Sequence, residues 1–303
     1  MSILCVGQMV ADVVVRPVRA MPAPLDLVED LQLVPGGCAT NTACVLAKLG
    51  IETALSARIG QDALGSAILS EVAACGVGVA GVIRDAAVPT SAVIVMVAPD
   101  GERTFLYRKG GNERLAADDI PDSAFQRARI VHVGGAMKLA CLDLPALLHR
   151  ARAAGCTVAL DTDWDPSGRW MDALRAPLAL TDYLLTNEEE GRMLTGCPNP
   201  TDAGAALLEL GPSAVVVKQG ERGATLATEA GARRFPAFSV PVLDTTCAGD
   251  AFAAGFLYGV AKGWALDRCT VFGNAAGALC TTQISHRAIR DEADVEGVAS
   301  GAA

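Results

Sequence analysis

Short valine-rich runs alternate with helix-patterned stretches along most of the 303-residue chain, and no other feature limits the fold so strongly. The runs are "ILCVG" (3–7), "ALSARIG" (54–60), "RIVHVGG" (129–135), "CTVALDTD" (156–163), "DYLLT" (182–186) and "SAVVVKQG" (213–220). Each is nearly continuous in apolar residues and only as long as a strand, as expected of strands covered on both faces. Between them lie "NTACVLAKLG" (41–50), which ends on an expected C-cap glycine, Gly50, and "DALGSAILSEVAACG" (62–76), with an aspartate near its start and a glycine at its end. Further helical segments are expected near 143–154 and 201–211. Strands that alternate with helices imply a mainly parallel central sheet with helices on both faces, an α/β fold. Apolar residues make up 51% and charged residues 19%, which is enough apolar surface for one large core.

Two stretches break this rhythm. "DVVVRPVRAMPAPLDLVEDLQLVPGG" is proline-rich and extended, and "SAVIVMVAPDGERTFLYRKGGN" carries Asp100-Gly101 between β-rich runs, a hairpin signal. Both are expected to leave the main sheet and form a small separate β layer, with excursions at about 12–34 and 89–111 of a single domain spanning 1–303.

Charge and cysteine usage exclude several classes of function. The net charge is −9 and no dense Lys/Arg stripe occurs, which argues against a nucleic-acid partner. No apolar run reaches membrane-spanning length. The opening "MSILCVGQMVADVVV" lacks a basic n-region and contains Asp12, so it reads as a strand and not as a signal peptide. The ten cysteines form no CxxC and none pairs with a histidine at metal spacing. Most sit inside apolar runs and read as buried free thiols, as expected of a cytoplasmic location.

Familiar motifs fail on context. "GVGVAG" (76–81) matches GxGxxG but follows a helix and precedes a strand, the reverse of a dinucleotide fingerprint. None of the five lysines precedes Ser or Thr, so there is no Walker A loop, and GxSxG is absent. His132, His149 and His286 have no triad company, and His132 reads as a core residue.

"DTTCAGDAFAAGF" (244–256) is more informative. A small-residue turn, Cys247-Ala248-Gly249, leads through Asp250 into an apolar helix. The first N–H groups of a helix have no intrahelical partner and sit at its positive dipole end, so the turn is a candidate anion site. Asp250 there is either a plain N-terminal charge or a base that takes a proton from an alcohol during phosphoryl transfer. "VPGGCATNTA" (34–43) places Gly36 and Gly37 ahead of a helix carrying Asn41. It is either an ordinary strand-to-helix turn or a place where backbone and an amide meet hydroxyls. In "TNEEEGRML" (186–194), Asn187 and Glu190 lie three apart, as an N-cap with an acidic first turn or as residues that orient Mg²⁺ through water.

In this order the motifs resemble the ribokinase-like (PfkB) carbohydrate kinases over nearly the whole chain. The resemblance implies that Asp12 in "GQMVADVVV", with Gly36, Gly37 and Asn41, meets the sugar. "RIGQDALG" matches the stretch that usually follows. Asn187 and Glu190 match an NxxE motif supporting Mg²⁺ and phosphates. "KQGERGA" supplies a nucleotide-binding turn with Lys218, Gly220 and Gly223, and "FGNAAGAL" supplies Asn274 beside the adenine. Cys247, Ala248 and Gly249 fall on the anion hole and Asp250 on the catalytic base. The implied activity is ATP-dependent phosphorylation of a sugar hydroxyl, with ATP and Mg²⁺ as cofactors and a β lid over the sugar; the excursions are too small to own a core, so they are expected to pair across a homodimer or fold down on substrate.

Two departures stand out. Cys247 replaces the usual glycine at the head of the anion turn; a helix N-terminus is expected to lower its thiol pKa, and because a thiolate there would repel phosphate the thiol is expected to be kept neutral or turned away. The tail "ISHRAIR" lacks the small residues that help the family bind a monovalent cation, so that ion is left in doubt and little activation by K⁺ is expected. Three other readings stay open. A nucleoside kinase would use Phe105 or Tyr107 for stacking. A kinase of acidic or phosphorylated sugars would use Arg16, Arg19, Arg103, Arg108 or Lys109. A non-catalytic sugar-binding protein of the same fold would need neither Asp250 nor the NxxE pair.

Overall fold

Every valine-rich run forms the strand expected of it. The computed structural model describes residues 2–16, 18, 27–98, 103–165 and 167–301. The strands in chain order are β1 (Ile3–Gly7), β2 (Val10–Arg16), β3 (Asp30–Gly36), β4 (Thr53–Gly60), β5 (Gly78–Asp85), β6 (Ala92–Val97) and β7 (Arg103–Arg108). They continue with β8 (Ile130–Gly134), β9 (Thr157–Asp161), β10 (Tyr183–Asn187), β11 (Ala214–Lys218), β12 (Ala224–Thr228) and β13 (Gly231–Phe235). Nine of the described strands form one sheet in the order β13-β12-β11-β10-β9-β8-β1-β4-β5. From β11 to β5 neighbouring strands run parallel, and β12 and β13 add an antiparallel edge.

Alternate residues of each strand serve opposite cores. Ile3, Cys5, Leu185 and Val216 pack under the helices Cys38–Lys48, Ala248–Ala261 and Leu266–Cys280. Leu4, Val6, Leu184, Val215 and Val217 pack on the other face with Leu147, Leu148, Leu174 and Leu207 from further helices. Two-sided burial explains why these strands read as unbroken apolar runs. Gly50 ends the helix Cys38–Lys48 as expected. Its N–H donates to the Ala47 carbonyl and the Ile51 N–H to that of Leu46, the paired bonds of a Schellman motif.

The two excursions do leave the main sheet. They form a separate four-stranded layer in the order β3-β2-β6-β7. The expected hairpin is seen as antiparallel pairing of β6 with β7; the turn at Asp100-Gly101 itself lies outside the described residues. The opening stretch is corrected in one respect. It is two strands and not one, because the chain leaves the main sheet after Gly7 (φ 145°) and re-enters regular structure as β2 of the small layer. Asp12 therefore belongs to the small layer. The register puts Val34, Asp12, Val93 and Tyr107 in one row on one face. Val10, Val14, Val34, Val93 and Val95 pack with Ile284, whereas Leu31, Ile94 and Leu106 are exposed.

Chain order reverses at the centre of the main sheet. From β1 the chain steps outward to β4 and β5, then returns to β8 on the other side of β1 and proceeds to β11. A crevice opens at the carboxyl ends of strands where order reverses in this way. Gly7, Gly134, Asp161, Asn187 and Lys218 are the final residues of their parallel strands and all face that end.

Candidate active site

The turn 247–250 lies at this end of the sheet and joins two groups of residues. Cys247 is the N-cap of the helix Ala248–Ala261, and Asp250 is in its first turn. The N–H groups at the start of that helix have no partner within it. Lys218 reaches the same place from the end of β11: a Cβ on Gly249 would be 3.4 Å from its Nζ. Backbone N–H groups, a helix dipole and an ammonium thus converge on one spot suited to an anion.

On one side of the turn is a cleft of about 880 Å³. Asn187, Lys218, Gly220, Gly223, Gly249 and Asn274, separated widely in sequence, all line it. Gly223 is required by close approach: its φ is 89°, and a Cβ would lie 1.9 Å from the Phe235 carbonyl oxygen. Asn274 donates from Nδ2 to the carbonyls of Phe235 (3.3 Å) and Pro236 (3.2 Å), so it fixes the segment that walls the cleft.

On the other side are Asp12, Gly36, Gly37 and Asn41. Asn41 Nδ2 donates to Asp250 Oδ2 at 2.7 Å, across 209 residues of sequence. Its Oδ1 is buried with no partner among the described residues. Gly37 is the N-cap of the helix that carries Asn41. Gly36 must lack a side chain because a Cβ would fall 2.2 Å from the Asp12 carboxyl. Burial pushes Asp250 up to about 7. Asp161 and Asp163 add to the rise, while the Asn41 bond and Lys218 oppose it. Burial, then the charges of Asp250 and Asp244, push Asp12 up to about 7 as well.

Asn187 and Glu190 form the reciprocal capping box of the helix Glu188–Thr195. Asn187 Oδ1 accepts from the Glu190 N–H at 2.8 Å and the Asn187 N–H donates to Glu190 Oε2 at 3.3 Å, while Asn187 Nδ2 also donates to Glu190 Oε1 at 2.6 Å. Glu190 is buried and also accepts from Thr162 Oγ1. Cys247 departs from the expected low-pKa thiol. Its side chain turns into the core, with Sγ 3.7 Å from Ser285 Oγ. Burial, then Cys280, Asp250 and Asp12, push the thiol well above its ordinary value, outweighing the helix N-terminus. Its φ is 65°, a left-handed conformation that explains why glycine is the usual occupant.

The pfkB family carbohydrate kinase model matches residues 1–292. The chain belongs to this family. It is therefore a carbohydrate kinase, and its reaction is phosphoryl transfer to a sugar. The kinase is 31% identical over 279 residues to a fructokinase of Klebsiella pneumoniae, covering 86% of this chain and 91% of the relative. It is 32% identical over 255 residues to an ATP-dependent ribose-1-phosphate kinase of Halopiger xanaduensis, covering 80% and 79%. A ribokinase of Arabidopsis thaliana solved with ribose and ATP superposes with a TM-score of 0.83 at 27% identity, over 98% of each chain.

Two carboxylates of the kinase's crevice, Asp161 and Asp163, had escaped sequence reasoning. Asp161 ends β9 and pairs through Oδ2 with Lys218 Nζ at 2.7 Å. Burial alone would lower the Lys218 pKa; Asp161, then Glu190, raise it above its ordinary value. Asp163 pairs with Lys138 at 2.9 Å and accepts from Cys38 Sγ at 3.5 Å. The signal was the acidic end of "VALDTD", two carboxylates where a buried strand stops. His132 is a core residue as expected, buried completely in β8, and burial depresses its ring to about 3.

Proposed function

We propose that this kinase transfers the γ-phosphoryl group of ATP to a hydroxyl of a neutral sugar, with Asp250 as the general base. The observation that carries the reading is the Asn41–Asp250 pair at the head of the anion turn. Asn41 holds the carboxylate and retains an unpaired, buried Oδ1. Such an atom costs about 1–3 kcal/mol, and a sugar hydroxyl that donates to it removes the cost. Asp12 accepts from further hydroxyls. A base with a pKa near 7 is matched to neutral pH, where it is ionised often enough to take the hydroxyl proton as the new O–P bond forms.

ATP occupies the 880 Å³ cleft, a volume within the usual range for small-molecule sites. Its phosphates run toward Cys247, Ala248 and Gly249, whose N–H groups and the Lys218 ammonium hold the charge carried by the transferred oxygens. The donor set fits Mg²⁺ held through its water: Asn187 lines the cleft, and the Glu190 carboxylate behind it is already engaged by Asn187 and Thr162. When bound, the ion neutralises phosphate charge.

The charges around the acceptor corner favour an uncharged sugar. Asp12, Asp161, Asp163 and Asp250 are gathered there, and Lys138 and Lys218 are each paired with one of them. Of the cations suggested for an anionic substrate, Arg16 pairs with Asp30, Arg108 donates to the Thr90 carbonyl and Lys109 pairs with Glu113. Arg19 and the Arg103 side chain lie outside the described residues. The four-stranded layer serves as the lid, with Asp12 and Tyr107 in a row on its inner face. Its exposed Leu31, Ile94 and Leu106 suit a second copy of the chain, giving a homodimer. Little activation by K⁺ is proposed, on the departure at "ISHRAIR". A coupled assay of ADP release over neutral sugars, nucleosides, sugar acids and sugar phosphates tests the substrate class; turnover confined to the last two would refute it.

A further inference from the structure

Three residues without metal spacing in the sequence meet in space, away from the cleft that holds the anion turn. Cys44 Sγ, Cys75 Sγ and a ring nitrogen of His286 lie within 4.8 Å of one another. They come from the helix Cys38–Lys48, the C-cap of the helix Ala63–Ala74 and the loop that follows the helix Leu266–Cys280. We propose that Cys44, Cys75 and His286 form a site for a thiophilic divalent cation of the Zn²⁺ class.

The donor set suits such an ion. Two thiolates and an imidazole provide three ligands of a tetrahedral site, with sulfur at about 2.3 Å and nitrogen at about 2.0–2.1 Å from the metal. A spread within 4.8 Å needs only a small contraction to reach those lengths. His286 is 5% exposed, and its Nε2 is buried without a partner among the described residues. A polar atom so placed lacks a ligand that a metal would be. Access exists as well. A second cleft of about 500 Å³ is lined by Cys75, His286, Lys48 and Glu71, so an ion can enter from solvent and keep water in its fourth position.

Lys48 is the group that must yield. Its Nζ is 2.9 Å from His286 Nδ1 and 2.9 Å from the His286 carbonyl oxygen. With Lys48 donating to Nδ1, a neutral ring carries its proton on Nε2. A metal on Nε2 sends that proton to Nδ1, and a metal on Nδ1 displaces Lys48 directly; in both cases Lys48 turns into the cleft it lines. The two thiol protons leave to solvent, and no electron is transferred. The ion would tie the loop that carries Ser285 to the helix that carries Asn41. Ser285 packs on Cys247 and Asn41 on Asp250, so the site braces the anion turn from behind.

The test titrates the reduced, full-length protein with Co²⁺ and then displaces it with Zn²⁺. The proposal expects one Co²⁺ per chain, thiolate-to-cobalt charge-transfer bands in the near ultraviolet, tetrahedral d–d bands in the visible, and loss of both on adding Zn²⁺. Cys75→Ser and His286→Ala should each weaken binding by more than about 100-fold, because loss of even an outer-shell partner costs 10–100-fold. Cys75 is only half-buried, so Cys75→Ser is expected to fold. The exposed Cys141 serves as control, and Cys141→Ser should leave the titration unchanged. Absence of charge-transfer bands, their persistence in both ligand variants, or a Cys44–Cys75 disulfide in protein kept under reductant would overturn the site.

Discussion

At the scale of single residues, Asp250 is asked to do the most. Asp250→Asn should lower kcat by about 10²–10⁴-fold, the usual contribution of a general base, while ATP affinity is retained because the backbone turn remains. Isothermal titration with ATP beside steady-state kinetics separates the two. The pH dependence has a definite sign. The base must be ionised to act, and burial holds it at about 7. kcat/KM should therefore rise about tenfold per pH unit below that value and level off above it. A profile flat from about pH 5 to 8 would remove Asp250 from the proton transfer. Cys247 makes a separate prediction. Both Cys247→Gly and Cys247→Ala lose the buried thiol, but only glycine relieves a left-handed φ of 65°. The glycine variant should be more stable than the alanine variant by about 1–2 kcal/mol, read from urea midpoints at equal m-value. Equal midpoints would mean that the turn relaxes to suit a side chain.

At the scale of elements, the reciprocal cap explains why the NxxE pair supports two readings in the sequence. Asn187 closes the helix Glu188–Thr195 and also lines the larger cleft. Asn187→Ala should cost about 1 kcal/mol through the lost cap and raise KM for ATP, measured by thermal unfolding and by kinetics. Unchanged KM with the stability loss would reduce the pair to a structural cap. Strands buried on both faces were legible as valine runs, and helix ends as Asp62, Gly50 and Asn187, because those signals are local. The break between β1 and β2 was not legible. "VGQMVADVV" carries no proline or turn dipeptide to mark a break, and the change of sheet is set by Gly7 and by its contact with Gly134, more than a hundred residues away. Asp161 was missed for a related reason. A carboxylate at a strand end has meaning only once Lys218, 57 residues later, is beside it. The expected lowering of the Cys247 pKa failed because burial outweighs the helix N-terminus, whereas the expectation that the thiol is kept neutral or turned away from phosphate agrees with its position beside Ser285.

At the scale of the whole molecule, the motifs are far apart in sequence but gather from the carboxyl end of the main sheet, the helices beside it and the small layer. The small β layer exposes Leu31, Ile94 and Leu106 on one face. Ile94→Glu with Leu106→Glu should convert a dimer to monomer in sedimentation at micromolar concentration, and it should leave the fold of the main sheet intact by circular dichroism. A wild-type chain that sediments as a monomer would instead leave that face without the proposed role. The central claim is that this kinase uses Asp250 to activate a hydroxyl of a neutral sugar beside a cleft that holds ATP. The most direct measurement is ADP release by the wild-type and Asp250→Asn enzymes over a panel of neutral sugars, sugar acids and sugar phosphates at saturating ATP and Mg²⁺. A neutral sugar should give the highest kcat/KM, and the variant should lose at least about 100-fold on that same sugar. A sugar acid or sugar phosphate as the best substrate, or near-normal turnover by the variant, would contradict the account.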